Sequence, residues 1–176
     1  MEFIALSTGT WALSFLLASL SITPLRVVTR MNWLIRLRRL IGLFSFFYAV
    51  LHFFSYIWLD KFFDLREMAA DVLRQPFITA GVTAFLLLVP LAATSTAGAI
   101  RRLGGRMWQM LHRLVYASAA AAVLHYWWKV KADTREPAIY AAVLCGLLAF
   151  RLIHRLHRRS TRAAETGILD KTDRIG

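Results

Sequence analysis

The chain has 176 residues, 58% of them hydrophobic, and a formal net charge of +12, with a mean hydropathy of +0.52. An ordinary soluble domain is about 45–50% apolar, so the composition argues against one; a single cysteine also excludes an internal disulfide or a thiolate cluster. The basic residues separate apolar blocks and do not form one soluble face, which argues against nucleic-acid binding as the source of a pI near 11.

Five apolar blocks follow one another, at 7–23, 41–59, 77–93, 108–128 and 138–153. A membrane span needs roughly 17–25 residues. The first block has no basic region before it and no obvious small-residue cleavage site after it, so it reads as a span and not as a cleaved leader. The third is at the short limit and contains Pro90, which membrane helices tolerate where neighbours re-satisfy the backbone. The fifth reaches span length only if its helix continues through Arg151 toward Arg155, with those heads snorkelling to the headgroups. Expected, then, is an all-α integral membrane helical bundle of about five transmembrane helices over 1–157, followed by a basic tail, 158–176. The tail is too short to bury a core of its own.

Charge orients these spans. Connections 24–40 and 94–107 and the tail from Arg151 hold fifteen of the 22 Lys and Arg residues, whereas connections 60–76 and 129–137 hold six. Basic loops stay in the cytoplasm, which predicts a periplasmic N-terminus and a cytoplasmic C-terminus. Trp33 and Trp108 fall near the inner boundaries, and Tyr56, Trp58, Tyr126, Trp127 and Trp128 near the outer ones, as interfacial aromatics do. There is no GxGxxG after a strand, no P-loop and no HExxH, so no nicotinamide domain belongs to this chain.

The chemistry lies in histidines. His52 is in the second block, and His112 and His125 are in the fourth. Ionisable groups inside a membrane are costly and mark functional sites, and imidazole is a common axial ligand of haem iron. Segments two and four run the same way, so depths can be counted from their outer ends. His52 then lies within roughly 6 Å of the level of His125, against roughly 13 Å for His112. His52 and His125 are the candidate pair, with His112 nearer the inner face. Arg38 stands fourteen residues before His52, only about 40° off its face. Arginine stays protonated and is a poor iron ligand, but Arg38, like Arg113, could hold a haem propionate or another anion. Thirteen residues rotate an ideal helix by about 220°, so His112 and His125 would not share a face; a kink, a local π or 3₁₀ turn, or haems approached from different sides would reconcile this. His154 and His157 read as headgroup contacts. A small proton-coupled transporter, or a structural subunit with helix-bridging histidines, is the alternative on these residues.

The runs ITPLR (22–26), RRLIGLFSFFYAVLHFFSY (38–56) and MLHRLVYASAAAAVLHYWW (110–128) closely resemble the MsrQ (YedZ) family. These are haem-binding membrane subunits of bacterial methionine sulfoxide reductase systems, within the ferric-reductase-like transmembrane superfamily. The resemblance covers almost the whole chain. It implies one or two b-type haems with ligands at His52, His112 and His125, FMN binding, and electrons from the quinone pool or a flavin reductase. It also implies an MsrP-like periplasmic molybdoenzyme as acceptor, repairing methionine sulfoxide in envelope proteins, and an inner-membrane location. The family usually has six transmembrane helices, and the five segments here match all but the first. The wider superfamily carries two histidines on each ligand helix; Arg38 occupies the fourth place in this chain.

Overall fold

A computed structural model describes residues 2–60, 62–130 and 133–173, with the side chains of residues 2, 59, 60, 65 and 158–173 outside that description. Its elements are α1 (Glu2–Thr29), α2 (Leu34–Ser55, prolonged by a π-helical turn, Tyr56–Asp60), α3 (Leu65–Arg74), α4 (Pro76–Ala93), α5 (Ala97–Leu111), α6 (Leu114–Lys129) and α7 (Arg135–Asp173). Among the described residues there is no strand. The chain belongs to the all-α membrane class that its composition implies.

Local chemistry sets the helix ends. Arg30, at φ 58°, closes α1 in the left-handed region. Asp64 caps α3 by accepting from the backbone N–H groups of Arg66 and Glu67 at 2.9 and 3.0 Å. Pro76 occupies the first turn of α4, where its missing N–H costs nothing. Thr96 caps α5 through Ala99 N–H at 3.1 Å.

Two antiparallel hairpins make the bundle: α1 packs along α2, and α4 packs along α6, while α7 lies against α1 and α6. The interior is narrow. Leu13, Leu16, Leu17 and Leu20 of α1 meet Leu88 and Leu91 of α4, Val115, Ala119 and Val123 of α6, and Leu144 of α7. Outward faces are equally apolar: Phe47 is 54% exposed, Leu86 60% and Ile153 66%. Apolar surface on this scale suits lipid and not water. Four helices are long and apolar enough to cross a membrane, over Phe3–Thr29, Leu34–Trp58, Pro76–Ala93 and Arg135–His157. The sixteen-residue α6 is a shorter fifth, about 24 Å long at 1.5 Å per residue.

Three expectations change. The block 108–128 is not one helix: it breaks at His112–Arg113, between α5 and α6. The basic connection 94–107 is mostly helix; α5 carries Arg101, Arg102 and Arg106, buries no residue, and kinks at Gly104, φ 73°. A glycine takes that angle without strain. Third, α7 does extend through Arg151, but that guanidinium turns inward. It donates to the Tyr116 hydroxyl and to the Leu20 carbonyl at 2.8 Å, tying α7 to α6 and α1. A polar head in an apolar layer takes whatever acceptors the bundle offers. The 157/158 boundary falls inside the continuous α7.

A candidate metal centre between two hairpins

His52 of α2 and His125 of α6 face each other across the gap between the hairpins. Their ring centres are 6.0 Å apart, with the planes inclined at 72°. Each imidazole is steered by a carbonyl of the partner helix. His52 Nδ1 lies 2.8 Å from the Ala5 carbonyl, and His125 Nδ1 lies 2.7 Å from the Phe77 carbonyl. A carbonyl only accepts, so each Nδ1 carries the proton and the lone pair is left on Nε2. This is the arrangement that fixes the tautomer of a metal-ligating histidine.

Close approach of a ring to a helix backbone needs an absent side chain. In α1 and α4 the carbonyl at position i points along the helix toward residue i+4, and both i+4 residues are glycine. A Cβ on Gly9 would stand 3.0 Å from His52 Cε1, and one on Gly81 only 2.7 Å from His125 Nδ1. Two turns below each histidine a buried serine repeats the link. Ser45 donates to the Ala12 carbonyl at 2.8 Å, and Ser118 to the Ala84 carbonyl at 2.9 Å.

The sequence contains this device twice. Residues 45–52 and 118–125 share Ser-x-x-x-Ala-Val-Leu-His, and residues 9–12 and 81–84 share Gly-x-x-Ala. Reading single histidines misses Gly9, Gly81, Ser45 and Ser118; comparing the two histidine-bearing segments side by side finds them.

The rings border a cavity of about 420 Å³, within the range of small-molecule and cofactor sites. Phe85 stacks on Phe53 at 4.6 Å and on Phe46 at 6.0 Å, closing the space between α2 and α4. Two imidazoles that ligate one iron from opposite sides, with metal–nitrogen bonds of about 2 Å, place their ring centres about 6 Å apart. The observed spacing meets that requirement. Among the described residues no group of three His, Cys, Asp or Glu side chains could hold a metal ion. An ion here needs its remaining ligands from a cofactor, and a planar tetrapyrrole fits the donor set.

His112 lies elsewhere. It stands at the α5–α6 break, with Nδ1 3.1 Å from the Trp108 carbonyl, and its ring stacks on Trp108 at 3.9 Å. Arg38 acts electrostatically on both His112 and Arg151, and its carbonyl accepts from Ser19 at 3.1 Å. Arg113 is exposed. The structure therefore brings His52 and His125 together, groups Arg38 with His112 at the basic end, and leaves Arg113 on the surface. His154 stacks on Phe150 at 6.1 Å, away from the cavity.

Known proteins are similar to this chain. The model of the family described as "Ferric reductase like transmembrane component" matches residues 5–123. The "Protein-methionine-sulfoxide reductase heme-binding subunit MsrQ" of Herminiimonas arsenicoxydans is 52% identical over 172 residues, covering 97% of this chain and 79% of that protein. Proteins of the same name are 53% identical in Rhodospirillum rubrum, covering 89% of this chain and 75% of that one, and 52% identical in Ralstonia nicotianae, covering 86% and 71%. No solved structure matches.

Proposed function

Because the chain belongs to the ferric-reductase-like transmembrane family, and within it to MsrQ, we propose that it is a membrane b-type cytochrome that passes electrons to a methionine sulfoxide reductase. The observation that carries this reading is the imidazole pair, 6.0 Å apart and steered by two carbonyls into one cavity. His52 and His125 would hold one haem iron through their Nε2 atoms. The haem, when bound, supplies one-electron chemistry. The chain supplies the ligands, the orientation and a dry surround: Gly9 and Gly81 admit the rings, and Leu13, Leu16, Phe85 and Leu88 exclude water.

His112 ligates a second haem toward the basic end, where Arg38 holds a propionate or other anion; Arg113, on the surface, is the weaker candidate for that role. Electrons enter at this end, which faces the cytoplasm of a bacterial inner membrane, from quinone, FMN or a flavin reductase. The arginines of α5, in contact with lipid headgroups, form the entry surface. They leave at the opposite, periplasmic end to an MsrP-like molybdoenzyme, where sulfoxide reduction takes place. Residues 1–157 are the haem-binding unit, and 158–176 form a basic tail.

Two experiments test the reading. Chain purified from haem-replete cells should show a Soret band that sharpens on dithionite reduction; a colourless product refutes the cytochrome. Reduced protein should be reoxidised by MsrP with a methionine sulfoxide substrate, and a haem that stays reduced removes that partner. Charge reversal at Asp64 or Asp71 is a poor probe of docking, because Asp64 caps α3 and Asp71 accepts from Tyr56 and Gln75. Glu67 is exposed. Glu67→Lys should change the reoxidation rate in a salt-dependent manner. Lys61 and Lys131, in the same connections, lie outside the described residues.

A further inference from the structure

The cavity has two unlike ends. Toward α5 it is lined by Leu13, Leu16, Ala49, Phe85 and Leu88; toward α3 it is lined by Tyr56, Asp71, Gln75, Tyr126 and Lys129. Helix geometry produces the second set. Tyr56 and Lys129 stand four residues beyond His52 and His125, about 6 Å further along and on the same faces. The Asp71 carboxylate accepts from the Tyr56 hydroxyl at 3.2 Å and from the Gln75 amide at 2.9 Å. Among the described residues Lys129 is the one Lys or Arg that lines the cavity. Its Nζ rests 5.6 Å from the centre of the Phe77 ring, on the residue whose carbonyl steers His125.

A b-type haem is lopsided: two propionates leave one edge and the rest of the rim is apolar. Held by the two imidazoles, it would turn one edge to the Lys129 end of the cavity and the opposite edge to Leu16 and Leu88. Burying carboxylates among leucines costs several kcal/mol without a partner; at the other end the Lys129 ammonium borders the cavity, while the Tyr56 and Tyr126 hydroxyls already donate to Asp71 and Glu136. From this, and resting on the haem reading above, we infer that the propionate edge lies toward α3 and that Lys129 binds a propionate. Lys129 thereby fixes which way round the haem enters, a choice the near-equivalent histidines cannot make. The cation–π contact with Phe77 holds the ammonium at the rim before the propionate arrives.

The test uses the full chain, stripped of haem in detergent and offered free-acid haem or its dimethyl ester, which lacks ionisable propionates. The wild-type chain should prefer the free acid by about tenfold, the ratio that one charge-assisted hydrogen bond supports. Lys129→Gln and Lys129→Met should lose that preference, and Lys129→Arg should keep it. All three should retain the bis-imidazole spectrum, since Lys129 is exposed at a helix end and touches neither ligand bond. The propionate bending band in resonance Raman should shift in the Gln and Met variants alone. An undiminished preference in the Gln and Met variants, or equal uptake of acid and ester by the wild type, overturns the inference while the haem reading stands. A wild-type chain that takes up neither compound overturns both.

Discussion

The α1–α2 and α4–α6 hairpins repeat one device, and they differ only where the device is not involved. Carbonyl, glycine, serine and histidine recur at matching positions: Ala5, Gly9, Ser45 and His52 in one, Phe77, Gly81, Ser118 and His125 in the other. Between the shared serine and histidine, α2 carries Phe46, Phe47 and Tyr48, whereas α6 carries Ala119, Ala120 and Ala121. In α2, Phe46 stacks on Phe85 and Tyr48 on Phe15, with Trp11 tilted against Tyr48, filling space beside the cavity. The alanines of α6 let it press between α4 and α7, with Ala119 fully buried. The setting of the imidazole is the same in both hairpins while the packing beside it differs. The constraint falls on backbone approach to the imidazole, not on the hydrophobic filler around it.

The largest expected effect tests whether the hairpins serve one site. His52→Ala and His125→Ala should each remove the same haem, seen as matching losses of Soret absorbance and haem-to-protein ratio. His112→Ala should leave that haem in place. If instead His52→Ala matched His112→Ala and spared the haem of His125, the comparison would break.

Next come the glycines. Gly81→Ala should be the more damaging, since its Cβ would sit 2.7 Å from His125 Nδ1, against 3.0 Å for the nearest His52 atom in Gly9→Ala. Overpacking of this kind costs about 1–3 kcal/mol, and it falls on the ligand's orientation. The readouts are haem retention and the low-spin ferric EPR signal, which should weaken in Gly81→Ala and shift less in Gly9→Ala. Equal effects at the two glycines would mean that the helices, not the rings, yield.

The serines should matter least. Ser45→Ala and Ser118→Ala each remove one interhelical hydrogen bond, worth about 0.6 kcal/mol on average in membrane proteins. Thermal unfolding in detergent should show two small, similar losses with unchanged haem spectra. A spectral change in either variant would promote the serine from helix clasp to part of the ligand support.

Arg151 shows where linear reasoning stopped. Its place near the end of an apolar block predicts snorkelling, yet it reaches inward to Tyr116 and Leu20, because those acceptors come from helices distant in sequence. His112 shows the opposite. Its mismatch in rotation with His125 left a kink, a local rewinding or haems approached from different sides open, and the chain breaks at His112–Arg113.

Sequence by itself determined the membrane setting, the places of most of the long apolar segments, and the matching depth of His52 and His125, because length, hydropathy and rise per residue are properties of one helix at a time. Tertiary structure alone decided which carbonyl steers each imidazole, why Gly9 and Gly81 must lack a side chain, where Arg151 points, and that Lys129 stands at the cavity's rim. Each of these depends on the rotation and offset of one helix against another. That register is set by packing across the bundle, between residues tens of positions apart in sequence, and no local pattern encodes it.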